Sequence, residues 1–207
     1  MVINEMYVRS IVNNAISLLW STPETATLLS KLRVYDALTF QHCENVSYLA
    51  AMLLSDYEGY IVPDISEIAI AGMMHDIGKI KVDIAIIAKP GRLTPAEYRQ
   101  VKLHVDYSAE LLRDVPLSVR VKEGIVQHHE RLDGSGYNRQ LKGNEISPFG
   151  QILAVCDVFD ALINKRAYKD ALSFDKVAQI MRSDMGLNQT LVQRLLMLQV
   201  ESYRGAV

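Results

Sequence analysis

The sequence contains little cysteine, no long apolar run and no excess of charge of either sign. Its only two cysteines, Cys43 and Cys156, have no paired spacing, which excludes a disulfide framework and indicates a reducing compartment. No apolar segment is long enough to span a bilayer, and the N-terminus lacks the pattern of a secretory signal. With 22 basic and 24 acidic side chains, the chain does not match the electrostatics of a general nucleic-acid or membrane binder. We therefore expect a soluble, cytoplasmic protein that binds neither a nucleic-acid polymer nor a membrane.

The sequence does contain a strong helical periodicity of apolar residues. Hydrophobic residues occupy 49% of the 207 positions, which is enough for a sizeable core. Strand-like alternation of polar and apolar residues is absent from the sequence, and so are internal repeats. The pattern predicts an all-α fold, consisting of one domain of stacked helices.

An amphipathic helix is predicted at the N-terminus, in residues 1–20. This helix either packs on the domain or forms a homodimer contact, and residues 21–207 form the main domain. Asp64 and Glu67 have the spacing of a capping box. This spacing predicts that Asp64 caps the helix that carries the next apolar run.

The most informative stretch is His75-Asp76, at the end of the apolar run 68–74. An adjacent imidazole and carboxylate are costly to bury without a partner, and a metal ion suits both groups. Gly78 is expected to end the helix, because glycine adopts a left-handed conformation without steric cost. The alternative is a hydrogen-bonded core histidine at a helix end, and the pair by itself favours that alternative.

All five histidines fall at or inside helical segments, and another acid, Asp157, lies within the apolar stretch 152–163. Each of these side chains alone is more often structural than a ligand, but their combination indicates a metal site. Imidazole and carboxylate ligands suit divalent iron, manganese, zinc or nickel, and they do not suit calcium. Two such ions sharing a carboxylate would polarise a phosphoryl oxygen and supply a hydroxide. Cys43 and Cys156 flank candidate ligands, but neighbouring helical positions point about 100° apart, so packing is their expected role.

Two stretches resemble the signatures of a known family. Residues 75–79 (HDIGK) are similar to the signature of the HD phosphohydrolase superfamily, and residues 128–137 (HHERLDGSGY) resemble the second signature of its HD-GYP branch. Further segments in the same order extend the resemblance from residue 36 to residue 200. The resemblance implies a helical bundle of the HD type with a catalytic domain in residues 21–207. It also implies hydrolysis of cyclic di-GMP, a bacterial signalling nucleotide, to pGpG and in some members to GMP, with a metal-bridging hydroxide as the nucleophile.

The resemblance further implies a set of ligands for two divalent transition metals. Iron or manganese is the first expectation for these metals, and zinc, nickel or cobalt are the alternatives. Asp76 would bridge the two ions. One ion would be held by His42, His75, Asp76 and Asp157, and the other by Asp76, His104, His128 and His129.

Other positions match family residues that act on the substrate. Lys79 would bind the scissile phosphate and stabilise its developing charge, with Asp76 as the second catalytic residue. Arg166 and Lys169 match nucleotide contacts, and Tyr137 matches a loop tyrosine near the substrate. The alternative for these three is a role as solvated surface charges and a packed aromatic ring.

Some positions depart from the family pattern or remain open. The family proline after Gly-Tyr is Asn138, which predicts that the loop at residues 133–139 is looser or turns differently. A protein partner would bind at this loop, so the change affects loop rigidity and that contact more than metal binding. Leu38 stands where some members have a glutamate ligand, which favours two metals over three. Asn45 stands where an arginine is common, and nothing in the sequence explains this change. Asp160 supports a ligand, binds a third metal or joins two helices.

Three functions agree with this sequence. The first is a metal-dependent cyclic di-GMP phosphodiesterase. The second is an HD phosphohydrolase that acts on another nucleotide, including other cyclic dinucleotides. The third is a weakly active module that binds the nucleotide or a protein partner, and the Asn138 substitution is the reason to consider it. The complete set of ligands favours an enzyme.

Overall fold

The computed structural model describes residues 5–56, 61–164 and 172–204, which form helices and turns but no strand. The all-α prediction is thus confirmed. The helices are α1 (Glu5–Ser21), α2 (Pro23–Tyr35), α3 (Ala37–Ser55), α4 (Val62–Met74), α5 (Ile84–Ile87), α6 (Pro95–Lys102), α7 (His104–Leu111), α8 (Val119–Gln127), α9 (Pro148–Ile163), α10 (Phe174–Ser183) and α11 (Gln189–Arg204). Short 3₁₀ turns cover Ile77–Lys81 and Gly143–Glu145.

Helix α1 packs its apolar face on α3 and α4. The Tyr48 hydroxyl on α3 donates a hydrogen bond to the Glu5 carboxylate at 2.8 Å and so joins the beginning of α1 to the bundle. Burial of its apolar stripe accounts for the position of the helix, since removing apolar surface from water is the main favourable term in packing. The buried residues of this stripe are Val8, Ile11, Val12, Ala15 and Leu19.

Helix α4 begins earlier than the sequence predicts. Its cap is Ile61, so the prediction that Asp64 caps this helix is wrong. Asp64 lies within the first turn, and its Oδ2 atom accepts a hydrogen bond from the Ile61 N–H at 3.0 Å. A carboxylate is also favourable inside the first turn, because it satisfies a free N–H there and interacts with the helix dipole.

Helices α3 and α4 cross at close range. A Cβ atom at Gly72 would lie 2.6 Å from the Ser47 Cα, so only glycine permits this approach. The Ser47 hydroxyl also donates a hydrogen bond to the Ala69 carbonyl at 2.7 Å. The crossing brings His42 on α3 beside His75, which directly follows α4.

The core is a single cluster of buried apolar side chains from helices α1 to α4 and α8 to α11. Cys156 lies in this cluster as a free thiol, in agreement with its expected packing role. Within the part of the chain that the structure describes, no helix is long and apolar enough to cross a bilayer.

Candidate metal centre

His42, His75 and Asp157 meet although they come from α3, the end of α4 and α9. All three are buried, and one ligand atom of each lies within 4.8 Å of the other two. The His42 Nε2 atom is 3.0 Å from Asp157 Oδ1 and 3.2 Å from His75 Nε2. We call these residues the first ligand set.

A second ligand set consists of Asp76, His104, His128 and His129, whose ligand atoms also lie within 4.8 Å of one another. His104 begins α7, while His128 and His129 directly follow α8. The His104 Nε2 atom is 3.3 Å from Asp76 Oδ1 and 3.4 Å from His128 Nε2. Three short junctions at helix ends therefore supply all four side chains.

Asp76 lies between the two sets. Its Oδ2 atom is 3.4 Å from His75 Nε2 and 3.7 Å from His42 Nε2, while its Oδ1 atom faces His104. One carboxylate can therefore serve both sets. The structure thus brings together all seven residues that the sequence analysis named as ligands. Cys43 also lies within 4.8 Å of ligand atoms of His75 and Asp76, so its thiol is a further donor that the sequence analysis assigned to packing alone.

Backbone hydrogen bonds orient three of the imidazoles. The Nδ1 atoms of His75, His104 and His128 lie 2.7, 2.7 and 2.6 Å from the carbonyl oxygens three residues earlier in the chain. A carbonyl only accepts, so each Nδ1 donates a proton and the lone pair of a neutral ring is on Nε2. These Nε2 atoms point into the centre, which is the orientation that a metal ligand requires.

The donor set fits divalent cations. The neutral Nε2 atoms of His104 and His128 face each other at 3.4 Å and cannot form a hydrogen bond, because neither carries a proton, whereas a cation can bind both. Among the described residues, the buried Asp76 Oδ1 atom accepts no hydrogen bond. An acceptor in this position is costly unless it has a partner, and a metal ion is a partner that the surrounding imidazoles would share.

Burial keeps the histidines of the second set neutral. It lowers the pKa of His104 to about 4 and the pKa of His128 to about 3. Burial, together with the neighbouring His128, also holds the pKa of His129 well below its usual range. A metal ligand must be deprotonated, so these rings are ready to bind a cation at neutral pH.

The acids are held in the ionised form that a cation requires. Burial opposes the charge of Asp76, but the Lys79 ammonium and His75 hold the pKa of this carboxyl well below its usual range. Burial also opposes the charge of Asp157, and His42 lowers its pKa in the same way. His75 differs from the second set, because Asp76 overcomes the effect of burial and raises the pKa of this ring well above its usual value. A metal ion at the first set would supply the same compensating charge and would take the place of a proton on His75.

A cleft of about 590 Å³ opens beside Asp76 and contains Lys79. The Lys79 Nζ atom is 2.5 Å from Asp76 Oδ2, which places a cation at the edge of the ligand sets. Arg92 supplies a second cation, and the sequence analysis assigned no role to it. Cations beside an apolar wall suit a phosphate joined to a base. The remaining walls are Asp36, Leu38, Thr39, Ile86, Ile87, Ala88, Gly91, Leu93, Tyr98 and Val101.

The loop at residues 133–139 is attached to the second ligand set. The Tyr137 ring stacks on His129 with centroids 4.6 Å apart, and the Lys102 ammonium lies 4.7 Å from the centroid of the Tyr137 ring. The Asn138 amide donates a hydrogen bond to the Asp106 carboxylate. The sequence predicts a looser loop at Asn138, and the structure adds this attachment, which the sequence did not indicate.

Glu130 also holds this loop, and the sequence analysis gave it no role. Its buried carboxylate accepts hydrogen bonds from the Arg139 N–H at 2.6 Å and the Leu141 N–H at 3.1 Å. The signal for this role was present, because Glu130 is a charged residue beside His129 that needs partners once it is buried.

Asp160 contacts a ligand of the first set. Its Oδ2 atom is 2.6 Å from His42 Nδ1, and its Oδ1 atom accepts hydrogen bonds from the Asn45 amide at 2.8 Å and the Asn164 amide at 2.7 Å. Asn45 therefore has a structural partner that the sequence could not show.

Two of the predicted substrate residues, Arg166 and Lys169, lie outside the described residues.

The chain is similar to known proteins over most of its length. The HD domain family model matches residues 26–189. A cyclic di-GMP phosphodiesterase from Thermotoga maritima is 38% identical over 154 residues, which are 73% of this chain and 41% of that protein. The 3'3'-cGAMP-specific phosphodiesterase 3 of Vibrio cholerae is 40% identical over 115 residues, which are 56% of this chain and 25% of that protein. This chain thus spans less than half the length of either relative.

The fold also resembles a solved structure. An HDG"Y"P protein from Bdellovibrio bacteriovorus superposes with a TM-score of 0.68 at 16% sequence identity, and the alignment covers 94% of this chain and 71% of that one. At this identity the comparison supports the helical fold alone.

Proposed function

Because this chain belongs to the HD domain family, we propose that it is a metal-dependent phosphodiesterase of cyclic dinucleotides. The observation that carries this proposal is the pair of ligand sets around Asp76, beside a cleft that contains a lysine. The relatives are named for activity on cyclic di-GMP and 3'3'-cGAMP. Cyclic di-GMP is the proposed substrate, with pGpG and then GMP as products, and 3'3'-cGAMP is the second candidate.

The proposed metal ligands are the seven residues of the two sets, with Asp76 shared. When bound, two divalent ions would polarise the scissile phosphate and activate a water for attack. Iron or manganese is proposed first, since imidazole and carboxylate donors suit both metals. Leu38, which lies in the cleft one turn before His42, offers no ligand atom and so supports two ions rather than three.

Lys79 is the proposed catalytic residue that meets the phosphate. Its Nζ atom lies beside the shared carboxylate and inside the cleft, so it can bind the oxygens on which negative charge develops. The apolar wall of the cleft would contact a nucleoside, and Tyr137 would contact the substrate on the side of His129. We also retain Arg166 and Lys169 as proposed nucleotide contacts.

Two regions are proposed for contacts with other proteins. The apolar face of α1 is already packed, so a homodimer would use its outer face, where Tyr7 and Leu18 are exposed. The loop at residues 133–139 is the proposed site for a different protein partner. Residues 21–207 are the proposed catalytic domain.

The test measures metal content and turnover in the same preparation. Wild-type protein loaded with Mn²⁺, or anaerobically with Fe²⁺, is incubated with cyclic di-GMP, 3'3'-cGAMP and other nucleotides, and the products are separated by chromatography. We expect about two ions per chain and turnover of a cyclic dinucleotide. Asp76→Ala is the matched control, and it should lose metal and activity together.

The other outcomes identify the alternatives. Full metal occupancy with tight nucleotide binding and no turnover would indicate a binding module. Turnover restricted to other nucleotides would indicate a different HD phosphohydrolase. A wild-type protein that binds no metal would refute the proposed mechanism.

A further inference from the structure

A buried carboxylate that does not line the cleft contacts the first ligand set. Asp160 is only 1% exposed, and its Oδ2 atom is 2.6 Å from His42 Nδ1. Asp160 also lines a second pocket, of about 550 Å³. The residues that line this pocket are all different from those of the cleft, so Asp160 contacts the first ligand set through His42 without lining the cleft.

His42 differs from the other oriented imidazoles in the charge of its partner. The Nδ1 atoms of His75, His104 and His128 face backbone carbonyls, whereas His42 Nδ1 faces a carboxylate. A hydrogen bond to an ionised acceptor is roughly twice as strong as one between neutral groups. The carboxylate also polarises the Nδ1–H bond, which makes the Nε2 atom a stronger electron-pair donor to a metal.

Two amides hold Asp160 in this position. The Asn45 and Asn164 side chains donate hydrogen bonds at 2.8 and 2.7 Å to Asp160 Oδ1, which leaves Oδ2 directed at His42. The residues also match in register, since Asn45 is one turn after His42 on α3 and Asp160 is one turn after Asp157 on α9. The same contacts therefore join the two helices that carry His42 and Asp157.

We propose that Asn45, Asp160 and Asn164 form a positioning network for His42 that makes the first ligand set the tighter of the two metal sites. The first ion then binds at His42, His75 and Asp157, and the second ion completes the centre at His104, His128 and His129. This inference rests on the proposed function only in requiring two metal ions.

The test is a calorimetric titration of the metal-free protein with Mn²⁺. We expect two binding steps for the wild type. Asp160→Asn keeps the shape of the side chain and removes its charge, and it should weaken the tighter step by roughly 10- to 100-fold, with the weaker step unchanged. Asn45→Ala and Asn164→Ala should each weaken the same step by a smaller factor. These two variants test the inference if Asp160→Asn does not fold.

Gln41→Ala is the matched control. The Gln41 amide donates a hydrogen bond to Asn45 Oδ1 at 3.2 Å and is on the exposed side of α3, so its loss should leave both steps within about twofold of the wild type. His42→Ala should abolish the tighter step and His104→Ala the weaker one, which assigns each step to a ligand set.

Equal affinities at the two sites, or an equal shift of both steps in Asp160→Asn, would overturn the inference. If the wild type hydrolyses a cyclic dinucleotide while Asp160→Asn titrates normally, only this inference fails. If two ions bind in the expected order and no nucleotide is hydrolysed, only the proposed function fails.

Discussion

At the scale of single residues, the centre depends on one carboxylate. Asp76 directs one oxygen to each ligand set, and its Oδ1 atom has no hydrogen bond from the described residues. Such a group is stable only if positive charge surrounds it, because an isolated buried carboxylate is strongly destabilising. Lys79 supplies one such charge, and the proposed metal ions supply the rest.

Lys79→Ala is expected to separate catalysis from metal binding. Removing a charge that stabilises the developing phosphate charge should lower kcat by about 100- to 1000-fold. The ion content should not fall, since Asp76 loses a competing cation and keeps its two oxygens. Metal analysis and steady-state hydrolysis of cyclic di-GMP on the same samples measure both quantities.

Lys81→Ala is the matched control for that variant. Lys81 lies in the same 3₁₀ turn and pairs with Glu110 at 2.8 Å on the surface. Its loss should leave turnover unchanged. Wild-type activity in Lys79→Ala would exclude the role proposed for this lysine.

At the scale of elements, five of the seven proposed ligands lie at helix ends or in short junctions, while His42 and Asp157 lie inside α3 and α9. The turn Ile77–Lys81 follows His75 and Asp76 directly and packs against α7, which begins with His104. Gly78 lies inside this turn, so the prediction that it ends the helix in a left-handed conformation is wrong. Glycine is required there for another reason, since a Cβ atom would collide with the His104 carbonyl.

Gly78→Ala is therefore expected to push α7 away from Asp76. Overpacking of this kind should lower the free energy of unfolding by about 1–3 kcal/mol. The affinity of the second ligand set should fall as well, because His104 moves with α7. Thermal unfolding and Mn²⁺ titration measure the two effects.

Ser108→Ala distinguishes crowding from the loss of a hydrogen bond. The Ser108 hydroxyl accepts a hydrogen bond from the Gly78 N–H at 2.9 Å, and its removal should cost about 1–3 kcal/mol of stability without moving α7. Metal affinity should therefore remain at the wild-type value in Ser108→Ala. An equal loss of affinity in both variants would contradict the steric account.

At the scale of the whole molecule, the proposed ions join distant parts of the chain. The seven proposed ligands come from α3, the junction after α4, α7, the junction after α8, and α9. Metal bound to all of these segments stabilises the folded state, because the unfolded chain cannot offer the same site.

Chelation is expected to lower the melting temperature. An ion present at about 100 times its Kd stabilises the folded state by about 2.7 kcal/mol, so its removal should lower Tm by roughly 5–10 °C. Differential scanning calorimetry with and without a chelator measures the change. In Asp76→Ala the chelator should have no effect, and an equal decrease there would show that the chelator acts on something other than this centre.

The sequence by itself determined the all-α class and the seven residues that the structure brings together. It could do so because helical periodicity is a local property, and because histidines and acids inside apolar segments are conspicuous wherever they occur. It did not correctly predict the start of α4 or the conformation of Gly78. Those features depend on the Ile61 N–H and on α7, neither of which is visible in a local pattern.

Only the tertiary structure determined which side chains contact and orient the proposed ligands. Asn45 and Asp160 are 115 residues apart in the chain, and nothing local to either residue indicates that they meet. The pairing exists because α3 and α9 pack with His42 and Asp157 face to face at 3.0 Å, so the next turn of each helix also comes into contact. The residue types and the family resemblance indicated the proposed ligands from the sequence, whereas the partners that orient them depend on helix packing.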